Sequence, residues 1–278
     1  MQRNSKDATP LKQVKYFLLD MDGTIYLDTT LFDGTLDFLE TLKVQGKNAV
    51  YITNNSSKNT QAYVEKLGRL GIAAAEEDFC TSVNATIFHL NKVKPGARLV
   101  VLGTPALITA FRDAGFEIVT EYTGDPDQRP DFAILGFDTT LEYGRLCVFC
   151  DYLADGVTYW ATHPDMVCPM KEGRSIPDAG SFMLMIEGAT GRKPSFIAGK
   201  PNPSMIDMVI EKMGLDHSEV AVMGDRLHTD IMSAKNAGVY SICVLSGEAT
   251  LEDIAALPES EKPDYVFDSI KDIYELIR

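Results

Sequence analysis

Short runs of apolar, β-branched or aromatic residues alternate along this chain with longer stretches of helical periodicity, the pattern of strand–helix–strand units that build a parallel sheet. Three of the strand-like runs end in polar turn chemistry. Residues 16–19 lead into Asp20-Met21-Asp22-Gly23, residues 49–52 into Thr53-Asn54-Asn55, and residues 220–223 into Gly224-Asp225. Ligands of an open parallel sheet sit outside the carboxyl ends of its strands, so these three endings are where chemistry is expected. Helix signals accompany them. Ser56 or Ser57 caps a helix over 60–70 with Gly71 as its stop, and Asn202 caps another with Pro203 at its first position and Gly214 beyond its end. A second alternation, with strands at 99–102, 132–135 and 158–161, fills residues 83–187, about a hundred residues and enough for a lobe of its own. The reading is an α/β fold in which residues 1–82 and 188–278 form a core domain and 83–187 an inserted α/β cap.

The charge balance narrows the partners. A net charge of −14 without any long single-sign block argues against a nucleic-acid or other polyanion surface. With 45% hydrophobic residues the chain can bury a core, which excludes a disordered or collagen-like molecule. Residues 1–15 are polar and lack the apolar centre of a secretory signal, and uncharged stretches such as 99–111 are too short to span a bilayer. Five scattered cysteines, an odd number, fit reduced thiols better than a disulfide framework. A cytoplasmic protein with no membrane partner is expected.

Asp20 and Asp22 stand two residues apart at the end of an apolar strand, so their carboxylates can converge on one site, one to attack and one to shuttle a proton. Gly224-Asp225-Arg226-Leu227-His228-Thr229-Asp230 adds carboxylates at another strand end, and if the two ends are adjacent an all-oxygen site for a hard cation results. Magnesium suits it, because that ion takes few protein carboxylates and keeps waters and a substrate phosphate oxygen. Thr53-Asn54-Asn55-Ser56-Ser57 offers a hydroxyl, amides and a helix N-terminus, a combination that favours an anion. Lys200, in Gly199-Lys200-Pro201-Asn202-Pro203, can set an ammonium beside a phosphate as a point charge.

In the order Asp-x-Asp-Gly-Thr, Thr-Asn-Asn, Gly-Lys-Pro and Gly-Asp-x-x-x-x-Asp, these four segments resemble the haloacid dehalogenase (HAD) superfamily of phosphohydrolases, subfamily IIA of the NagD / 4-nitrophenylphosphatase type. Gly136-Phe137-Asp138, Ala161-Thr162-His163-Pro164-Asp165 and Gly180-Ser181 extend the resemblance over nearly the whole chain after its first dozen residues. It implies a Rossmann-like, doubly wound parallel-sheet core with an inserted α/β cap of the C2 type. It also implies an Mg2+-dependent phosphatase of small phosphomonoesters of nucleotide, sugar or pyridoxal phosphate type, with p-nitrophenyl phosphate as an artificial substrate. In that scheme Asp20 is the nucleophile that forms an aspartyl-phosphate, and Asp22 protonates the leaving oxygen and later deprotonates water. Asp20, the Asp22 carbonyl and Asp225 hold the metal, with Gly23 and Asp230 in support. Thr53, the Asn54 backbone and Lys200 hold the phosphoryl oxygens, and the loop Arg226, Leu227, His228, Thr229 borders the substrate, a small phosphorylated metabolite. The resemblance also allows a homodimer through the cap. His163 stands where the subgroup commonly has Asn, and with Asp165 it is expected on a loop that selects substrate.

Two other readings use the same residues. A receiver-like phospho-acceptor also gathers acidic residues, a hydroxyl and a lysine around magnesium, but it needs no acid/base such as Asp22, and a hundred-residue cap obstructs partner docking. A phosphoryl-transferring mutase of the same superfamily differs in excluding water, which residues do not display. Cys147 and Cys150 are expected as small buried residues of one helix, and the run 182–186 as part of the cap core.

Overall fold

A computed structural model describes residues 3, 6–170 and 173–278, so the polar segment 1–15 and the cap stretch 83–187 lie partly outside the described residues. The chain divides into two compact units, one of Met1–Thr53, Thr60–Cys80 and Lys200–Arg278, the other of Asn54–Asn59 and Thr81–Gly199. Among the described residues no helix is long and apolar enough to cross a membrane.

The first unit is organised by a six-stranded sheet. Its order from edge to edge is Tyr265–Phe267, Tyr240–Val244, Val220–Gly224, Tyr16–Leu19, Asn48–Thr53 and Phe79–Thr81. Tyr16–Leu19 lies at the centre and pairs in parallel on both sides, so that Leu19 faces Met223 on one neighbour and Tyr51 on the other. From this strand the chain builds outward to one side and, much later, to the other. The reversal of winding therefore falls beside Tyr16–Leu19, where a doubly wound sheet opens its crevice. Side-chain alternation splits each strand between two apolar layers. Ile242 and Val244 join Phe17, Leu19 and Met223 in a cluster closed by Phe38 and Leu42 of helix Thr35–Val44 and by Ile270, Ile273 and Ile277 of helix Ile270–Ile277. Cys243, between them in sequence, faces the other way onto Ile231 and Ile254.

The second unit carries its own parallel sheet of five strands, in the order Phe196–Ile197, Thr158–Ala161, Phe132–Leu135, Arg98–Leu102 and Glu117–Val119. One face buries Leu99, Val101, Ile134 and Trp160 against Val83, Leu90 and Phe111. The other buries Val100, Leu102, Tyr159 and Ala161 against Phe149, Leu153 and Ile186. The unit begins and ends elsewhere than at 83 and 187. Phe196–Ile197 adds a strand beside Trp160 and Ala161, and the ladder continues as Ala198 and Gly199 donate to the carbonyls of Ala161 and Thr162. That pairing keeps the chain in the second sheet as far as Gly199.

Several local expectations shift. The helix expected over 60–70 spans Thr60–Arg69, and Ser56 and Ser57 are used otherwise. Ser56 Oγ accepts from the Phe137 amide at 2.9 Å, and Ser57 donates to Asn55 Oδ1. Helix Ser204–Met213 starts one residue later than Asn202 as cap requires, with Pro203 at the cap position, yet Asn202 Oδ1 still accepts from the Ser204 amide at 3.0 Å. Cys147 and Cys150 on helix Tyr143–Ala154 are half-buried rather than buried. In the run 182–186 Ile186 is buried, Phe182 and Met183 are partly so, and Leu184 and Met185 are exposed. Five consecutive residues of a helix sweep more than its full circumference, so they cannot all face one core.

At the sheet edge Asp264 ties three segments together. Its Oδ1 accepts from Lys6 at 2.6 Å and Lys235 at 3.1 Å, and its Oδ2 accepts from the Ser241 amide and hydroxyl. Burial raises its pKa, but these hydrogen bonds outweigh burial and bring it down to about 2. A carboxyl depressed in the folded state stabilises above its unfolded pKa and loses that contribution as pH falls through the folded value. Urea unfolding is expected to show about 2 kcal/mol of stability lost between roughly pH 5 and pH 2. Asp264→Asn is expected to flatten that part of the profile and to lower stability at neutral pH.

Candidate active site

The carboxyl ends of the central strands of the first unit bring four charged side chains together. Asp20 extends the sheet by one residue, its amide donating to the Met223 carbonyl at 2.9 Å. The chain then turns back sharply. Gly23 takes φ +88°, its amide donates to the Tyr26 carbonyl at 2.8 Å, and a Cβ at that position would lie 2.3 Å from Asp225 Oδ2. Only glycine satisfies both the left-handed backbone and the close carboxylate. Gly224, at the end of the neighbouring strand, is likewise closed to a side chain, since a Cβ there would lie 2.3 Å from Asp230.

Lys200 occupies the centre of the cluster. Its Nζ donates to Asp20 Oδ1 and to Asp230 Oδ1, each at 2.6 Å, and the residue is only 3% exposed. Burial pulls the ammonium pKa down, but Asp20 and Asp230 outweigh it, so the pKa rises and Lys200 stays charged. Asp230 is fully buried in the helical turn Leu227–Ile231, and its Oδ2 also accepts from the Arg226 amide at 3.2 Å. Asp225 is buried too, with Oδ2 accepting from the Glu248 amide at 2.8 Å and Oδ1 from the Thr24 hydroxyl at 3.4 Å.

The acids repel one another. Burial first, and then the Asp230 charge, push the Asp20 pKa up to about 6 despite Lys200. Burial and the Asp20 charge raise that of Asp225. Burial raises that of Asp230 against the pull of Lys200. One carboxylate oxygen from each of Asp20, Asp225 and Asp230 lies within 4.8 Å of the others.

The remaining expected residues are placed less uniformly. Asp22 is exposed over 58% of its side chain, and Lys66 Nζ lies 3.9 Å from its Oδ2. Thr53 ends strand Asn48–Thr53 in the same unit, two residues past Tyr51, the partner of Leu19. Asn54 belongs to the second unit, where its amide nitrogen donates to Asp165 Oδ1 at 3.0 Å and its carbonyl accepts from the Ser82 hydroxyl. Of the loop after Asp225, Thr229 is buried and Leu227 packs beside Ile231, whereas Arg226 pairs with Glu248 at 3.1 Å and His228 is exposed. His163 departs from expectation. It is fully buried, with Nδ1 at 2.9 Å from the Thr162 hydroxyl and Nε2 at 2.9 Å from Asp178, so it presents no surface to a substrate.

Sequence reading missed the turn after strand Tyr240–Val244. Ser246 donates to the Gly23 carbonyl, Glu248 to Asp225, and a Cβ on Gly247 would fall 2.0 Å from Asp225. The signal was present as one more apolar strand ending in a Ser-Gly turn. It also missed Lys66, which stands on helix Thr60–Arg69 with nothing in its neighbours to mark it.

Residues 17–117 match the family model described as haloacid dehalogenase-like hydrolase, and residues 197–273 one described as HAD-hydrolase-like. The acid sugar phosphatase of Staphylococcus aureus is 37% identical over 267 residues, covering 96% of this chain and 98% of its own. The chain belongs to the haloacid dehalogenase-like hydrolases. Among solved structures of the family, the 4-nitrophenylphosphatase of Thermotoga maritima is 46% identical, with 97% of this chain and 99% of that one covered at a TM-score of 0.89. A glycerol phosphate phosphatase of Mycobacterium tuberculosis, in complex with magnesium, is 27% identical, with 95% and 78% covered at a TM-score of 0.84.

In this haloacid dehalogenase-like hydrolase Lys200 is the counter-charge for two carboxylates taken out of water. Lys200→Met is expected to lower unfolding free energy by about 3 kcal/mol, because it strands buried charge without a partner. Urea titration of Lys200→Met beside the Lys200→Met, Asp230→Asn double variant checks this. The double variant is expected to recover part of the loss.

Proposed function

We propose that the protein hydrolyses small phosphomonoesters with magnesium, through an aspartyl-phosphate on Asp20. The observation that carries this reading is the buried Lys200 held at 2.6 Å from both Asp20 and Asp230 at the strand ends. An anionic nucleophile approaching an anionic phosphate meets a repulsion that a preorganised cation in a water-poor site offsets.

The donor set fits a hard divalent cation. Lys200 bonds two of the three carboxylates, every donor is oxygen, and burial first, with the neighbouring carboxylates adding to it, raises the pKa of both Asp20 and Asp225. Asp20, Asp225 and the Asp22 carbonyl would hold magnesium, with Asp230 in support, and the ion when bound supplies charge neutralisation at the phosphoryl oxygens. An Asp20 oxygen attacks phosphorus as the bond to the ester oxygen breaks, and the departing oxygen takes the proton of Asp22. Water then attacks the acyl phosphate, gives its proton to Asp22, and releases inorganic phosphate and the Asp20 carboxylate. Thr53 holds phosphoryl oxygens beside Lys200, and Arg226 and His228 contribute the surface that meets the rest of the substrate. Asp22, more than half exposed, is within reach of water, which supports hydrolysis over transfer to a second substrate.

The names of the relatives support sugar, glycerol or aryl phosphates as the substrate class. The five free cysteines support a reducing compartment such as the cytoplasm.

Phosphate release from p-nitrophenyl phosphate, glycerol phosphate and a set of sugar phosphates tests the proposal. Release is expected to need magnesium, to stop on chelation, and to fall more than about 10³-fold in Asp20→Asn. Full turnover by Asp20→Asn overturns the reading.

A further inference from the structure

An acid/base residue acts only when its carboxyl is held within hydrogen-bond reach of the reacting oxygen. Asp22 is poorly held by its own surroundings. Its side chain is 58% exposed, and among the described residues no hydrogen bond fixes the carboxylate. What lies beside it is Lys66, with Nζ 3.9 Å from Oδ2, and Lys66 is itself anchored. Its Nζ sits 3.9 Å from the centroid of the Tyr26 ring, and Tyr26 is 2% exposed. The turn in which Gly23 donates to the Tyr26 carbonyl also bridges Asp22 to Tyr26 through the backbone. A cation on an aromatic face is restrained more than a lysine in solvent, and its hydrocarbon stem packs while the ammonium stays at the surface.

We propose that Lys66 is a positioning residue, an ammonium seated on Tyr26 that holds the Asp22 carboxyl in place for proton transfer to the leaving oxygen. The proposal rests on the phosphatase reading above. Its consequence depends on the leaving group. As the phosphorus–oxygen bond breaks, an alkoxide must take the Asp22 proton, whereas nitrophenolate is a stable anion and departs without it. A defect in positioning Asp22 therefore slows alkyl phosphates more than aryl ones, while a defect in folding slows both alike.

The experiment compares kcat and KM for glycerol phosphate and p-nitrophenyl phosphate in the wild type, Lys66→Met, Lys66→Arg and Asp22→Asn, with melting temperatures for each. Methionine keeps the packing on Tyr26 and removes the charge. For Lys66→Met, kcat on glycerol phosphate is expected to fall about tenfold or more and kcat on p-nitrophenyl phosphate by less than about threefold, with KM little changed, a fraction of the full effect of losing a general acid. Lys66→Arg, which keeps a cation over the ring, is expected to restore most of the difference. Equal losses on both substrates in Lys66→Met, with selective loss in Asp22→Asn, overturn the role of Lys66 and leave the phosphatase reading standing. Absence of selectivity in Asp22→Asn overturns the acid/base assignment and the proposal with it.

Discussion

The bond pair from Lys200 to Asp20 and Asp230 is the interaction around which the first unit's cluster of charged side chains is built. Three groups that prefer water are held almost without it, and each alone would be expensive there. Together they are tolerable because the ammonium faces both carboxylates at hydrogen-bond distance and Asp230 takes a further bond from the Arg226 amide. The remaining charge does not cancel. Burial, and after it the neighbouring carboxylates, leaves Asp20 and Asp225 with raised pKa values, and those crowded acids are what a divalent cation would meet. On the proposed function, stability and function pull in opposite directions at the same atoms.

Crowding four charged side chains into one crevice needs backbone that comes close to them. Gly23 and Gly224 supply it from adjacent strand ends, and the Ser246-Gly247-Glu248 turn supplies it from a third, where two backbone or side-chain donors reach Gly23 and Asp225. The parallel sheet is what makes the approach possible. Its strands all deliver their carboxyl ends to one edge, so residues far apart in the chain arrive within a few ångströms.

The second unit is held by a different kind of polar interior. Thr162 donates to Ser56 at 3.1 Å and lies beside His163, which meets Asp178, and Asp178 in turn accepts from the Ala179 amide at the start of helix Ala179–Thr190. Asn54 is fastened to Asp165 and Ser82. Neutral or paired groups of this kind satisfy one another and specify the position of the 54–59 segment in that unit. His163, which looked like a selector of substrate, is an interior hydrogen-bonding residue.

Local pattern by itself determined much of this protein. Residues 16–19, 132–135 and 158–161 are strands where alternation and turn chemistry placed them, and Asp20, Asp225, Asp230 and Lys200 do converge. These features are legible because strand period, turn residues and helix stops depend on neighbours a few positions away. Tertiary structure alone decided the rest. The strand Phe196–Ile197 joins the second sheet, Lys66 stands beside Asp22, the turn at Gly247 cradles Asp225, and His163 is sealed inside. Each depends on strand order and register between segments distant in the chain, as with Lys200 and Asp20, 180 residues apart. Burial and pKa follow from that arrangement, because the desolvation and the neighbouring charges that set them come from the assembled fold and not from the residue's place in the chain.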